Sequence, residues 1–147
     1  AFATAGAYGK LHQAAGYSLA ALVAFRFVWG FVGNRYARFD SFVRPPRTVI
    51  RYLLDMFSGH GERHLGHNPA GGMMILALIS ALIGLSVTGI LMTTDAYWGS
   101  NAMEEVHEAL ANFTLVLIAL HVLGVILASF EHGENLVKSM FTGRKRT

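Results

Sequence analysis

Three long apolar stretches dominate this chain, and each can cross a bilayer, which takes about 20 apolar residues. The first runs roughly from Ala14 to Val32, the second from Gly72 to Met92 and the third from Ala109 to Phe130. The second carries no charge, and the third is interrupted only by Asn112 and His121. Inside hydrocarbon, every backbone N–H and C=O must be satisfied within the protein, and continuous apolar runs of this length do so as helices. The predicted fold class is therefore an all-α membrane protein, a transmembrane helix bundle with three visible spans. Of the 147 residues 53% are hydrophobic and 14% charged, too apolar for an ordinary soluble domain. Neither an internal repeat nor a low-complexity segment divides the chain, so residues 1–147 read as one transmembrane domain.

Charge sets the expected orientation. Between the first and second spans lie Arg35, Arg38, Arg44, Arg47, Arg51 and Arg63, and after the third come Lys138, Arg144, Lys145 and Arg146. Between the second and third lie Asp95, Glu104 and Glu105, with Glu108 at the edge and no lysine or arginine. Basic loops stay in the cytoplasm. The 34–70 loop and the basic 131–147 tail are expected inside, the Thr93–Glu108 loop outside and Ala1 outside. The basic tail reads as a topology determinant rather than a nucleic-acid contact.

Within the inner loop, ProPro at 45–46 followed by ThrValIleArgTyrLeuLeuAspMetPhe predicts a short amphipathic helix on the inner membrane surface, arginines toward lipid headgroups. SerGlyHisGlyGlu at 58–62 breaks it, and HisAsnProAlaGlyGly at 67–72 turns into the second span. Tyr97 and Trp98 suit the outer aromatic belt.

The histidines carry the chemistry. His107 and His121 are fourteen residues apart on one apolar helix, nearly four turns, so they share a face with heights about 21 Å apart. A neutral imidazole is a haem-iron ligand, and this spacing suits two haems at two depths. The chain has no cysteine, which removes covalent haem attachment, thiolate metal sites and iron–sulfur clusters; any haem is b-type. His12 precedes the first span as His107 precedes the third. The two spans run parallel, so these imidazoles are level and able to clamp one iron. Read singly, each is an interfacial surface histidine.

His121 lies deep in apolar surroundings, where an unpaired polar group costs several kcal/mol. It either bonds to a neighbouring helix or ligates a second, inner haem. Arg26, fourteen residues after His12 and level with His121, meets a haem propionate or snorkels to the inner headgroups. Gly16, Ala111 and Gly124 leave space one turn from the three histidines, or serve close helix packing. His60, His64 and His67 lack the spacing of a zinc site and read as solvated loop. His132 could touch a headgroup, a quinone or a propionate. Met73, Met74 and Met92 read as packing rather than axial ligands.

Several segments together resemble the bacterial cytochrome b561 family and its relatives, the b-type cytochrome subunits of nickel-iron hydrogenases. They are HisGlnAlaAlaGlyTyr at 12–17, PheArgPheValTrpGlyPheValGly at 25–33, LeuGlyHisAsnProAlaGlyGly at 65–72, ValHisGluAlaLeuAlaAsn at 106–112, AlaLeuHisVal at 119–122 and HisGlyGluAsnLeuValLysSerMetPheThrGlyArgLysArg at 132–146. The resemblance implies a four-helix bundle holding two b haems, of which the visible spans match helices two to four. By resemblance His12 and His107 match the outer-haem pair, and His121 matches the helix-four ligand of the inner haem, whose partner in the family comes from helix one. The opening AlaPheAlaThrAlaGlyAla is not a signal peptide, which favours an earlier span that would complete the inner site; a span in another chain and an absent inner haem stay open as alternatives.

The expected function is transmembrane electron transfer between the quinone pool and an extracytoplasmic cytochrome c or oxidoreductase subunit. The setting is the bacterial inner membrane, in contact with membrane lipid and within a larger membrane complex. An electron-transfer subunit is favoured over a stand-alone enzyme. Two alternatives stay open: a structural membrane subunit of a respiratory or photosynthetic complex with one haem or none, and a self-contained quinone-reducing superoxide oxidase.

Overall fold

The computed structural model describes residues 5–35, 37–57 and 69–131. Five helices follow one another: α1 (Ala5–Val32), α2 (Phe39–Phe42), α3 (Pro46–Phe57), α4 (Pro69–Leu91) and α5 (Asn101–Glu131). The described residues contain no strand. Segments Gly9–Val32, Pro69–Leu91 and Asn101–Ser129 are long and apolar enough to cross a membrane, and the protein is an all-α, multi-pass membrane bundle. The helices begin earlier than the apolar runs, at Ala5, Pro69 and Asn101. Alanine and glutamate are good helix formers, so the polar flanks carry on the helical ladder beyond hydrocarbon. His12 therefore sits inside a helix rather than in a segment leading to it, and His107 shares α5 with His121 as their spacing implied.

Local chemistry sets the ends. Pro46 starts α3, where its missing N–H costs nothing, and Pro45 ahead of it is steered away from helical backbone by the following ring. Pro69 opens α4 in the same way. At the far end of α4 the Thr93 and Thr94 hydroxyls donate to the carbonyls of Ile90 (2.7 Å) and Leu91 (2.6 Å), which satisfies acceptors that the helix leaves open. Gly99 has φ +72°, a left-handed conformation that glycine adopts without strain. Ser100 then caps α5, its Oγ accepting from the Met103 N–H at 3.4 Å. Glu104 falls in the first turn, where the helix dipole favours an anion.

α4 is the middle helix. α1 packs on it, α5 packs on it, and α3 packs across it. Ala81 and Thr88 of α4, Val23 of α1, and Thr114 and Leu117 of α5 are buried. Gly84 accepts the Leu110 side chain at close contact, 3.4 Å from where a Cβ would stand. The outward sides carry exposed Leu, Ile, Val and Phe such as Leu22, Phe25, Leu115 and Leu123, the surface expected against lipid tails.

An aromatic cluster closes the end of the bundle where α1 finishes and α4 begins. Phe31 and Phe39 meet edge to face at 5.2 Å, Phe27 and Phe31 at 5.3 Å, and Phe39 and Phe42 at 5.9 Å. Such pairs add about 0.5–1.5 kcal/mol each beyond their area burial. Phe42 is 3% exposed and its backbone lies against Gly72 of α4; Phe39 lies against Gly30 of α1, where a Cβ would overlap its ring. The four-residue α2 is thus a wedge joining α1 to α4. The amphipathic helix expected after ProPro is α3, with Val49 and Tyr52 buried and Arg47, Ile50, Arg51 and Leu54 exposed.

Phe42→Ala should destabilise the bundle by about 3–5 kcal/mol. Leu115→Ala, on the exposed side of α5, should cost far less. Unfolding of both variants in mixed micelles reads the difference, and equal losses would contradict the wedge role of α2.

Candidate functional site

The site grows from one hydrogen-bond chain between α4 and α5. His107 Nδ1 lies 2.9 Å from Thr88 Oγ1. That hydroxyl is also within reach of the carbonyls of Gly84 (2.9 Å) and Leu85 (3.1 Å) one turn earlier in α4. A hydroxyl has one proton to give. When Thr88 gives it to a carbonyl of its own helix, it accepts the Nδ1 proton of His107, and the Nε2 lone pair is left free for a metal. Gly89 makes room beside the ring: a Cβ there would stand 3.2 Å from His107 Cε1.

Across from His107 stands His12 of α1. The ring centroids are 6.2 Å apart, with planes crossed at 85°. α1 and α5 both pack chiefly on α4, so this pair is where the two flanking helices come together. A metal held between two imidazoles separates their centroids by roughly 6 Å, counting about 2 Å per metal–nitrogen bond and about 1 Å from nitrogen to ring centre on each side. The pair has that spacing. Among the described residues no group of three or more His, Cys, Asp or Glu could hold a metal ion. Two imidazoles alone make a poor ion cage, but they suit a metal whose equatorial positions are filled by a macrocycle.

The surroundings fit a flat, largely apolar guest. A cavity of about 370 Å³ opens between α1 and α4, bordered by both histidines and by Gly16, Tyr17, Leu85, Ser86 and Gly89 among others. That volume is within the range of small-molecule sites. Nothing stands within 4 Å of the place where a Gly16 Cβ would project. Tyr17 hydroxyl lies 3.3 Å from Thr93 Oγ1, which already donates to Ile90, so the tyrosine is the donor and ties α1 to α4 beside the cavity. Ser86 Oγ in the cavity wall is buried without a hydrogen-bond partner among the described residues, a polar atom able to bond a guest or water. The residues present fit a b-type haem.

The second expected set is less assembled. His121 is half-buried on α5 and has no hydrogen-bond partner among the described residues. Arg26 lies over the Phe39 ring at 5.4 Å, in the aromatic cluster, and its Nη1 is buried without a hydrogen-bond partner among the described residues. Arg26 is thus placed by a cation–π contact that the sequence reading missed. His60, His64, His67 and His132 lie outside the described residues. Thr88, Ser86 and Gly89 were also missed, because a threonine, a serine and a glycine in an apolar span read as packing residues.

A family model described as prokaryotic cytochrome b561 matches residues 1–143. No curated protein and no solved structure matches the chain.

Gly89→Val should push the His107 ring off its position and lower haem affinity about 10–100-fold, the usual cost of disturbing a ligand's support. The bound haem per protein, measured after purification, checks this. Gly89→Val at full haem content would contradict the close approach. Gly16→Leu should act the same way by filling the cavity.

Proposed function

The chain belongs to the prokaryotic cytochrome b561 family, and we propose that it carries electrons across the membrane through haem held by His12 and His107. Transmembrane electron transfer by b-type haem is the family's activity. The observation that carries the residue assignment is the facing imidazole pair at 6.2 Å beside a cavity between α1 and α4.

Haem supplies a one-electron iron couple inside a low-dielectric medium. The chain does the rest. His12 and His107 hold the iron from two helices. The Thr88 hydroxyl holds the Nδ1 proton of His107. Gly16 and Gly89 leave space for the macrocycle, and the apolar wall of Leu19, Leu85 and Ile90 excludes water. In this reading His121 offers an axial position to a second haem about 21 Å further along α5, and the buried Arg26 Nη1 offers a charge to a propionate. Two sites at two depths make a relay across the membrane.

The basic segments favour a cytoplasmic 34–70 loop and C-terminal tail, and in this reading the His12–His107 site lies toward the outside. Asp95, Glu104, Glu105 and Glu108 are exposed near that end, an acidic surface suited to docking a basic extracytoplasmic cytochrome or oxidoreductase subunit. Quinone is the proposed redox partner on the membrane side. The chain acts as one domain within a larger membrane assembly.

The reduced-minus-oxidised visible spectrum of the purified protein tests this reading. A split or broad α band is expected, and His12→Ala should remove about half of it, leaving the haem associated with His121. A spectrum without any haem band would overturn the assignment and leave a structural subunit. A full-size band in His12→Ala would overturn the ligand role of His12.

A further inference from the structure

We propose that Thr88 is a positioning residue that sets the redox poise of the haem at the His12–His107 site. The proposal rests on the reading of these two histidines as axial ligands. It assigns a role to a residue of α4, the helix that supplies no histidine of its own to the site.

Four observations converge on Thr88. It is buried, 8% exposed, in the last turn of α4. Its Oγ1 lies 2.9 Å from His107 Nδ1 across the helix boundary. The same oxygen lies 2.9 Å from the Gly84 carbonyl and 3.1 Å from the Leu85 carbonyl, so its own proton has a place to go within α4. Gly89, the next residue, keeps the imidazole close to that oxygen. Threonine in a helix is restricted at χ1, and a back-bond to the preceding turn restricts it further. The lone pair facing α5 is therefore fixed by the backbone of α4.

The consequence is electronic as well as steric. Iron bound at Nε2 requires the ring proton at Nδ1. An imidazole that donates from Nδ1 is a more basic ligand. The chain from His107 through Thr88 to a backbone carbonyl polarises along its length and strengthens that donation. A more basic ligand favours ferric over ferrous iron. His12 has no hydrogen-bond partner among the described residues, so one ligand of the pair is locked and the other is free to adjust. Loss of the Thr88 hydroxyl removes the acceptor and leaves a buried N–H unpaired. Ferric binding should then weaken more than ferrous binding, and the reduction potential should rise.

The test uses the full chain in detergent, with potentiometric titration of the haem α band in wild type, Thr88→Val and Thr88→Ser. Valine keeps the shape and removes the hydroxyl; serine keeps the hydroxyl and removes the methyl. A differential loss of about tenfold in ferric over ferrous binding is expected for Thr88→Val, an upward shift of about 59 mV for a one-electron couple. Thr88→Ser should stay near the wild-type midpoint. Haem loss in Thr88→Val with retention in Thr88→Ser also supports the role. An unmoved midpoint in Thr88→Val overturns it, as do equal shifts or equal haem loss in both variants, which would mean that packing alone matters. His107→Ala, titrated alongside, separates the two layers: an unchanged haem there sinks the ligation reading itself, whereas a lost haem with an indifferent Thr88→Val sinks this proposal only.

Discussion

A polar ring inside a bilayer must find partners in the protein, and His107 finds two. Its Nδ1 meets Thr88, and its ring stands 6.2 Å from that of His12. A buried donor left without a partner costs about 1–3 kcal/mol, so the ring's position is decided by these contacts rather than by the flexible side chain that carries it. The positions of three helices follow. α5 must bring residue 107 against residue 88 of α4, and α1 must bring residue 12 level with both.

Two kinds of close contact make that arrangement possible. At the site, Gly89 lets the imidazole approach α4. At the other end of α1, the aromatic wedge of Phe39 and Phe42 lies against Gly30 and Gly72 and fixes the angle at which α1 meets α4. Apolar burial gives little help in choosing between alternative packings inside lipid, because hydrocarbon tails are as apolar as leucine. Only 11% of each spanning window is buried in protein, so the specifying contacts are few and identifiable. Removing one of them should change the register of a whole helix.

Much of this was legible in the chain itself. The uncharged run from Gly72 to Met92 and the run from Ala109 to Phe130 left no fold but membrane helices. The meeting of His12 with His107 could be anticipated from parallel spans and matched depth. The supporting residues could not. Thr88 acquires its meaning only when α4 is known to lie between α1 and α5, and a threonine in a span otherwise reads as a back-bonded packing residue. α2 has four residues, too few for any periodic signal. Arg26 was legible as a charge needing company, but its stacking on Phe39 depends on a chain reversal between Gly33 and Arg38, held by Asn34 bonds to Ala37 and Arg38. Local chemistry therefore announced the spans and the candidate ligand histidines, while tertiary contacts chose what surrounds them.

The central claim is that one iron sits between the rings of His12 and His107. Electron paramagnetic resonance of the ferric protein, with each histidine in turn replaced by glycine, tests it most directly. The account requires that His12→Gly and His107→Gly each abolish the low-spin signal of this site, and that added imidazole restores it by entering the vacated space. Either variant keeping this site's low-spin signal at wild-type intensity before imidazole is added would contradict it.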